Sequence, residues 1–440
     1  MCEQANNPYE DFLQKLPCDW ERLAIREIGT ITGGGTPSRE IPSYWHGDIP
    51  WVTPGEISST QTQLLHRTQE HISHTGLNGS GANLLPAGSL MVTTRATLGA
   101  RAINAVSMAT NQGFKSIIFK NLADGGYYFH LFEKVKPELV RRASGTTFLE
   151  ISGAEFGNIQ VPNPPNLEKK LIVQILDTLD TAICETEALI DKLKVVKHGL
   201  LHDLLSRGIN VHGQLRPPQS EAPQLYKESP LGWIPKEWEV KPAESVCEAV
   251  IDCKNRTPPI VESGHPVVRT PNVRDGRFVF TELVFTDEAS YKIWTQRGRP
   301  RPGDVLITRE APVGEVCLVP ADMQEACLGQ RMMMYQPDPS LLRSDFMLIA
   351  LMSQPVQRVL IDKAGGSTVG HVRVGDIRLL AVPVPPLTEQ VKIVDQYQAA
   401  VERLSAEEST LVKLRYSKVG LMNDLLTGYV RVTSLGEALS

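Results

Sequence analysis

Apolar side chains recur at intervals of three and four along one stretch of the chain. Ile172, Leu176, Leu179, Ile183, Ile190, Leu193, Leu200 and Leu204 share a stripe broken by Thr186 and Lys197. The same spacing returns in Ile393, Tyr397, Ala400, Leu404, Leu411, Leu414, Leu421 and Leu425, broken by Glu407 and Lys418. Such a stripe is the seam of a coiled coil, along which two helices interdigitate. Polar seam residues lower stability but fix register. Each helix can reach about 40 residues, or about 60 Å at 1.5 Å per residue. Pro164-Pro165 and Pro385-Pro386 stop the preceding strand and lead into each helix.

The two stripes belong to a longer repeat. Residues 161–206 and 382–427 align at a constant offset of 221, with Lys197, Gly199, Leu200 and Asp203 matching Lys418, Gly420, Leu421 and Asp424. The preceding parts are more divergent. Leu16-Pro17 and Trp20 match Ile234-Pro235 and Trp238 at 218, and Pro86–Gly99 matches Arg301–Gly314 at 215. Asn111-Gln112 falls near Gly329-Gln330, and Ser144–Thr147 matches Gly365–Thr368. A drifting offset means loop insertions on a shared scaffold.

Within each copy, short β-rich runs such as Ser116–Phe119, Asp304–Thr308 and Glu315–Val319 alternate with Gly and Pro, and helical stretches follow near Tyr127–Val140 and Ser344–Lys363. This predicts an α/β chain of two α+β modules. Residues 1–165 form the first module, 166–208 a central helix, 209–230 an exposed linker carrying Pro217, Pro218 and Pro223, 231–386 the second module, 387–428 the distal helix and 429–440 a tail. With modules at opposite ends, the helices run antiparallel and the chain is a pseudo-two-fold dumbbell.

Composition adds limits. The chain has 440 residues, 41% apolar and 22% charged, as expected of a soluble globular protein of two or three domains. No apolar run approaches the roughly 20 residues that span a bilayer, and no secretory signal is expected from the first residues. Seven cysteines, none in a CxxC pair, argue against a disulfide framework or zinc site and fit a reducing cytoplasm. The net charge of -5 counts at first against nucleic acid.

Catalytic patterns fail one by one. Asn163-Pro164-Pro165-Asn166 resembles an amino-methyltransferase motif but lacks its aromatic residue, and the second copy carries Val384 in place of the Asn. Gly33-Gly34-Gly35-Thr36-Pro37 is no Walker loop; it reads as a flexible loop whose amides could touch phosphate. His66, His71 and His74 lack accompanying ligands at metal spacing. There is no GxSxG or HExxH.

Arginines, by contrast, gather in matching loops. The candidate DNA-contacting residues are Thr94, Arg95, Asn111, Gln112, Lys115 and Thr146 in the first copy, and Arg269, Arg274, Arg299, Arg309, Gln330 and Ser367 in the second. Arginine suits guanine and phosphate, and Asn or Gln suits adenine edges.

Pro385–Gln390 opening one long helix, Asp424–Gly428 closing it, and Ser229–Trp238 opening a module resemble the specificity subunit of type I restriction-modification systems. The first copy departs from the PPLxEQ form, reading Pro164-Pro165-Asn166-Leu167-Glu168-Lys169. The resemblance spans nearly the whole chain. It implies a subunit with no catalysis or cofactor of its own, whose modules each read half of a bipartite double-stranded DNA target. It implies that the helix pair sets the gap and docks two modification subunits; Ile172, Leu176, Leu179, Leu193, Leu200, Ile393, Leu404, Leu414 and Leu421 of the seam are the candidate residues for the helix pair or partner binding. It further implies S-adenosylmethionine on those partners, ATP and Mg on restriction subunits, and a role in phage defence. Partner subunits that complete the clamp relieve the objection from net charge. A stand-alone adenine methyltransferase and a protein-binding coiled-coil scaffold are the alternatives.

Overall fold

The computed structural model describes residues 7–59, 62–145, 149–254, 256–365 and 370–432. Its longer helices are α1 (Pro8–Gln14), α2 (Gly125–Arg142), α3 (Asn166–Ser206), α4 (Glu288–Trp294), α5 (Ser344–Leu351), α6 (Gln354–Lys363) and α7 (Leu387–Leu426). The seam-bearing helices α3 and α7 run 41 and 40 residues. The carbonyls of Pro165 and Pro386 accept their first helical bonds, from Lys169 and Gln390.

The chain divides into two compact units, Met1–Ala188 with Glu408–Ser440, and Leu189–Glu407. The division falls inside both long helices. This differs from the expectation of modules and helices as separate segments. The reason is burial: each helix begins in one unit's core and ends in the other's. Ile172 and Leu176 belong to the first core with Tyr127 and Leu131, together with Leu425 and Leu426. Leu204 and Ile393 belong to the second with Trp238 and Phe346, and Leu200 packs against them. Leu404 is buried, while Leu179, Leu193, Leu414 and Leu421 are half-buried. Within the first unit the helices run antiparallel, since Asp180 pairs with Lys418 and Glu187 with Arg415. Within the second, Lys392 and Gln396 near the start of α7 donate to the carbonyls of Val211 and Gly213, just beyond α3.

The first unit holds a five-stranded sheet, ordered Gly29–Gly33, Phe114–Phe119, Leu90–Thr93, Arg101–Asn104 and Leu64–Leu65. A four-stranded sheet beside it is ordered Glu70–Ile72, Trp45–Val52, Met108–Thr110 and Leu84–Leu85. The second unit holds four strands, ordered Cys247–Asp252, Met332–Pro337, Val305–Thr308 and Val316–Leu318, and a three-stranded sheet ordered Val284–Thr286, His265–Val268 and Cys327–Leu328. Each unit also pairs an early strand with the strand before a long helix: Glu21 of Glu21–Ala24 faces Asn163, and Glu239 of Glu239–Pro242 faces Val384. Those two pairs are the same pair under the offsets of 218 and 221, so the repeat is structural.

Residues 209–230 are not the open linker that their prolines suggest. Ile209, Ala222 and Tyr226 are buried. Arg216 forms a bidentate pair with Glu389 at the start of α7, at 2.5 and 3.1 Å. Gly208 and Gly428 end the two helices at φ 63° and 69°, the left-handed turn that glycine tolerates. A Cβ there would lie 2.7 Å from Trp238 or 2.5 Å from Pro17.

Candidate nucleic-acid interface

In the first unit the strand Leu90–Thr93 ends at a loop where Ala96 and Gly99 take positive φ of 60° and 82°. Thr93 Oγ1 accepts from the Ala100 amide, and the Gly99 amide donates to the Thr93 carbonyl. The second unit repeats this arrangement. Thr308 Oγ1 accepts from the Glu315 amide, Gly314 donates to the Thr308 carbonyl, and Ala311 and Gly314 have φ of 44° and 84°.

The structure brings four of the first-copy candidates together. Arg95 projects from the loop with its Nε 3.7 Å from Glu150. Asn111 Oδ1 accepts from Gly113, tightening the next turn at 2.8 Å. Gln112 is exposed and bonded to Thr36. Lys115 pairs with Gly33 in the ladder. The glycine triplet closes this rim: Gly35 donates to the Thr110 carbonyl at 2.9 Å, so that amide is already used. A Cβ on Gly34 would lie 1.9 Å from the Asn111 carbonyl oxygen, so only glycine permits this approach.

Two candidates are corrected. Thr94 and Arg309 do not project from the reading loops; both are buried. Each directly follows the strand and is held by backbone bonds on both sides. The Thr94 amide donates to Gly113 and its carbonyl accepts from Ile151; the Arg309 amide donates to Arg331 and its carbonyl accepts from Val372. Arg309 Nη1 lies 3.3 Å from the Val372 carbonyl, and its buried Nε has no partner among the described residues. Thr146 and Ser367 lie outside the described residues.

The other second-copy candidates split into two groups. Gln330 is exposed, beside Arg331 and Gly329. Gly329 donates to the Val268 carbonyl, and a Cβ on it would lie 2.9 Å from Arg269 Cγ, so Arg269 and Gln330 share one rim. Arg269 Nη2 donates to the Glu282 carbonyl at 2.9 Å. Arg274, whose Nη1 donates to the Val273 carbonyl at 3.2 Å, and Arg299, paired with Glu325, are on other loops.

Reasoning from sequence missed Glu310, Arg331 and His371. Glu310 follows Arg309 and holds Arg331 at 3.1 Å and His371 at 2.5 Å. Under the offset of 215, Glu310 stands where the first copy has Arg95. The bridge from Glu310 to His371 likewise matches that from Arg95 to Glu150. The charge at this loop position is therefore reversed between the copies. Lys254 and Arg256 also escaped notice; both lie over the Trp294 ring, at 5.3 and 5.4 Å, near Arg297. Many of these guanidinium groups hold local carboxylates. Exposed pairs of that kind are worth about 0–1 kcal/mol, so phosphate can displace the carboxylate at little cost.

Among the described residues, the carboxylate–histidine group brought together is His130, Asp177 and Asp180, not the loop histidines. His130 Nε2 lies 2.7 Å from Asp177, and Asp180 is paired with Lys418, so a cationic side chain is already in place. No described helix is long and apolar enough to cross a membrane.

The sequence profile of the type I restriction modification DNA specificity domain matches the chain twice, over residues 17–195 and 235–413. The chain belongs to this family. The two matches start 218 residues apart, the offset that relates Trp20 to Trp238. Among relatives, the type I restriction enzyme MjaIX specificity subunit of Methanocaldococcus jannaschii is 26% identical, with 97% of each chain covered. The EcoR124I/EcoR124II specificity subunit of Escherichia coli is 28% identical over 41% of this chain and 46% of its own. A chain from a structure of an assembled type I restriction-modification system superposes with TM-score 0.59 at 18% identity, covering 94% of this chain and 99% of that one. The S subunit from M. genitalium gives TM-score 0.53 at 13% identity, over 93% and 98%. The fold of this specificity-family chain is thus that of solved S subunits.

Proposed function

We propose that each unit reads one half of a bipartite DNA target, and that the two halves differ. The observation that carries this is the reversed charge at the equivalent loop position, Arg95 against Glu310 on matching backbones. Arginine favours guanine O6 and N7, whereas a carboxylate accepts from cytosine N4. Two modules with one scaffold and opposite charges at one point select unlike bases there.

The long helices set the gap between the halves and dock modification subunits. Intramolecular pairing leaves apolar positions uncovered at equivalent places: Val195 is 72% exposed and Tyr416, at offset 221, is 75% exposed. Apolar side chains repeatedly exposed on a helix mark a protein-binding face. Methyl transfer then takes place on the partners, which carry S-adenosylmethionine, while restriction subunits supply ATP- and Mg-dependent cleavage. The complex works in the cytoplasm, where the DNA is.

The test is methylation mapping of DNA treated with the chain plus its modification subunit. Two unlike half-sites at fixed spacing are expected, and exchanging residues 231–381 for another module should change one half alone. A palindromic target would overturn the reading of unlike halves. Methyl transfer by the purified chain without a partner would overturn the non-catalytic role.

A further inference from the structure

In both units one side chain clamps the loop that returns to an edge strand. Val52 and Val268 are equivalent, each facing its partner in a matching parallel pair, Thr110 and Leu328. One helical turn further along the chain stand Glu56 and Asn272. Glu56 Oε2 accepts from the Thr53 amide at 2.8 Å, and Asn272 Oδ1 accepts from the Arg269 amide at 3.0 Å. Both side chains then reach the loop ahead of the edge strand. Glu56 Oε1 accepts from the Gln69 amide at 2.6 Å, next to the strand Glu70–Ile72. Asn272 Nδ2 donates to the carbonyls of Val279 at 3.0 Å and Thr281 at 3.4 Å, ahead of the strand Val284–Thr286.

The clamped loops carry opposite chemistry. In the first unit the held residue is Gln69, an exposed amide. In the second the two carbonyl bonds straddle Phe280, whose ring is 49% exposed. Asn272 is itself fully buried, so its amide is spent on the loop and does not face solvent. Phe280 leans against Phe278 with ring centroids 4.9 Å apart, and Phe278 packs on the core that holds Val273 and Leu328. Arg269 Nη2 donates to the Glu282 carbonyl, which joins this loop to the rim that Arg269 shares with Gln330. An aromatic ring fixed in an exposed position loses little conformational entropy on binding.

We propose that Phe280 is a reading residue of the second unit, packed on the 5-methyl group of a thymine beside the bases that Arg269 and Gln330 contact. This rests on the reading of one half-site by that unit. Thymine is the base that shows an apolar group in the major groove, and an exposed ring on a rim of polar readers matches it. Anchored through Phe278, the ring offers its free half for surface contact. A wedge between base pairs would need the whole ring to project. Gln69 at the equivalent clamp is polar, so the difference between the copies extends from Arg95 and Glu310 to a second position.

The test uses the full chain assembled with its modification subunit and a duplex carrying the mapped target, the second unit's half being assigned by exchange of residues 231–381. Each thymine of that half is replaced singly by deoxyuridine, which removes the methyl group alone. One such replacement should weaken wild-type binding by about fourfold, the worth of one buried methyl. Phe280→Ala should weaken the thymine duplex by at least as much and make that deoxyuridine position silent, because the contact no longer exists. The other half-site and the binding of modification subunits should stay unchanged. No deoxyuridine effect in wild type, or one of the same size in Phe280→Ala, would overturn the proposal. So would a half-site without thymine, or loss of the modification subunit in place of base selectivity. If Phe280→Ala fails to fold, 5-iodouracil at the sensitive thymine, with iodine in place of the methyl, should photo-crosslink the wild-type chain at Phe280. Crosslinks to other residues alone would overturn the proposal. Specificity unchanged by the exchange of residues 231–381 would instead defeat the functional reading.

Discussion

Arg431 clasps Glu168 from a point 263 residues further along the chain, Nε to Oε1 at 2.8 Å and Nη2 to Oε2 at 2.9 Å. Glu168 opens α3, and Arg431 follows the end of α7. Trp20 Nε1 donates to the same carboxylate at 2.9 Å, and Asp19 takes the remaining face of the guanidinium. Bonds to Glu168 and then to Asp19 raise Arg431 further above its ordinary value. The second unit has the counterpart: Glu389 opens α7, and Arg216 follows the end of α3. Each unit thus locks the start of one long helix to the segment beyond the other.

Removing one partner of a buried pair leaves an uncompensated charge. Arg216→Ala is expected to cost about 3–5 kcal/mol, since both partners are nearly buried. Arg431→Ala should cost less, because its guanidinium is a third exposed although Glu168 is not. Denaturant unfolding measures both. A loss below about 1 kcal/mol for Arg216→Ala would show that the clasp is not structural.

Arg95 and Arg309 should separate in their effects. Arg95→Ala is expected to weaken one half-site by about 1–3 kcal/mol with little change in Tm. Arg309→Ala should lower Tm and weaken binding to all sequences equally, because the side chain packs under Val372. Paired DNA-binding and melting measurements decide it. Base-selective loss at Arg309 with unchanged Tm would reverse the assignment.

Spacing should follow helix length. Four residues inserted after Ile183, matched by four after Tyr416, add about 6 Å to the pair. At about 3.4 Å per base pair, the unread gap should grow by about two pairs. Methylation mapping would show unchanged halves; an unchanged gap would exclude the helices as the ruler.

His265 supplies a pH dependence. Its bond to Glu288 raises the imidazole above 6.5, assisted by the Glu325 carbonyl. Its Nε2 lies 2.6 Å from the carboxylate. A raised value in the folded state means stability fully present below the ordinary imidazole range and lost as pH rises through the raised value. Wild type should therefore exceed His265→Gln in Tm at acid pH, with the gap closing as pH rises. A gap constant across the titration would show that the contact is uncharged.

The sequence alone determined the repeat, the length and seam of both helices, and the family. Those are carried by local periodicity and by residue order, which survive divergence in the loops. It named Arg95, Asn111, Gln112 and Lys115 singly as candidate contacts, by residue type in loops of the repeat; that Arg95 and Asn111 both border Gly113 came from the structure. Only the tertiary structure decided that Thr94 and Arg309 face inward. A one-residue difference at a strand end flips a side chain between core and solvent, and the two alternatives read alike in sequence. The structure alone also paired Arg431 with Glu168 and packed residues 209–230. Both contacts join places remote in sequence, where no periodic signal links the partners.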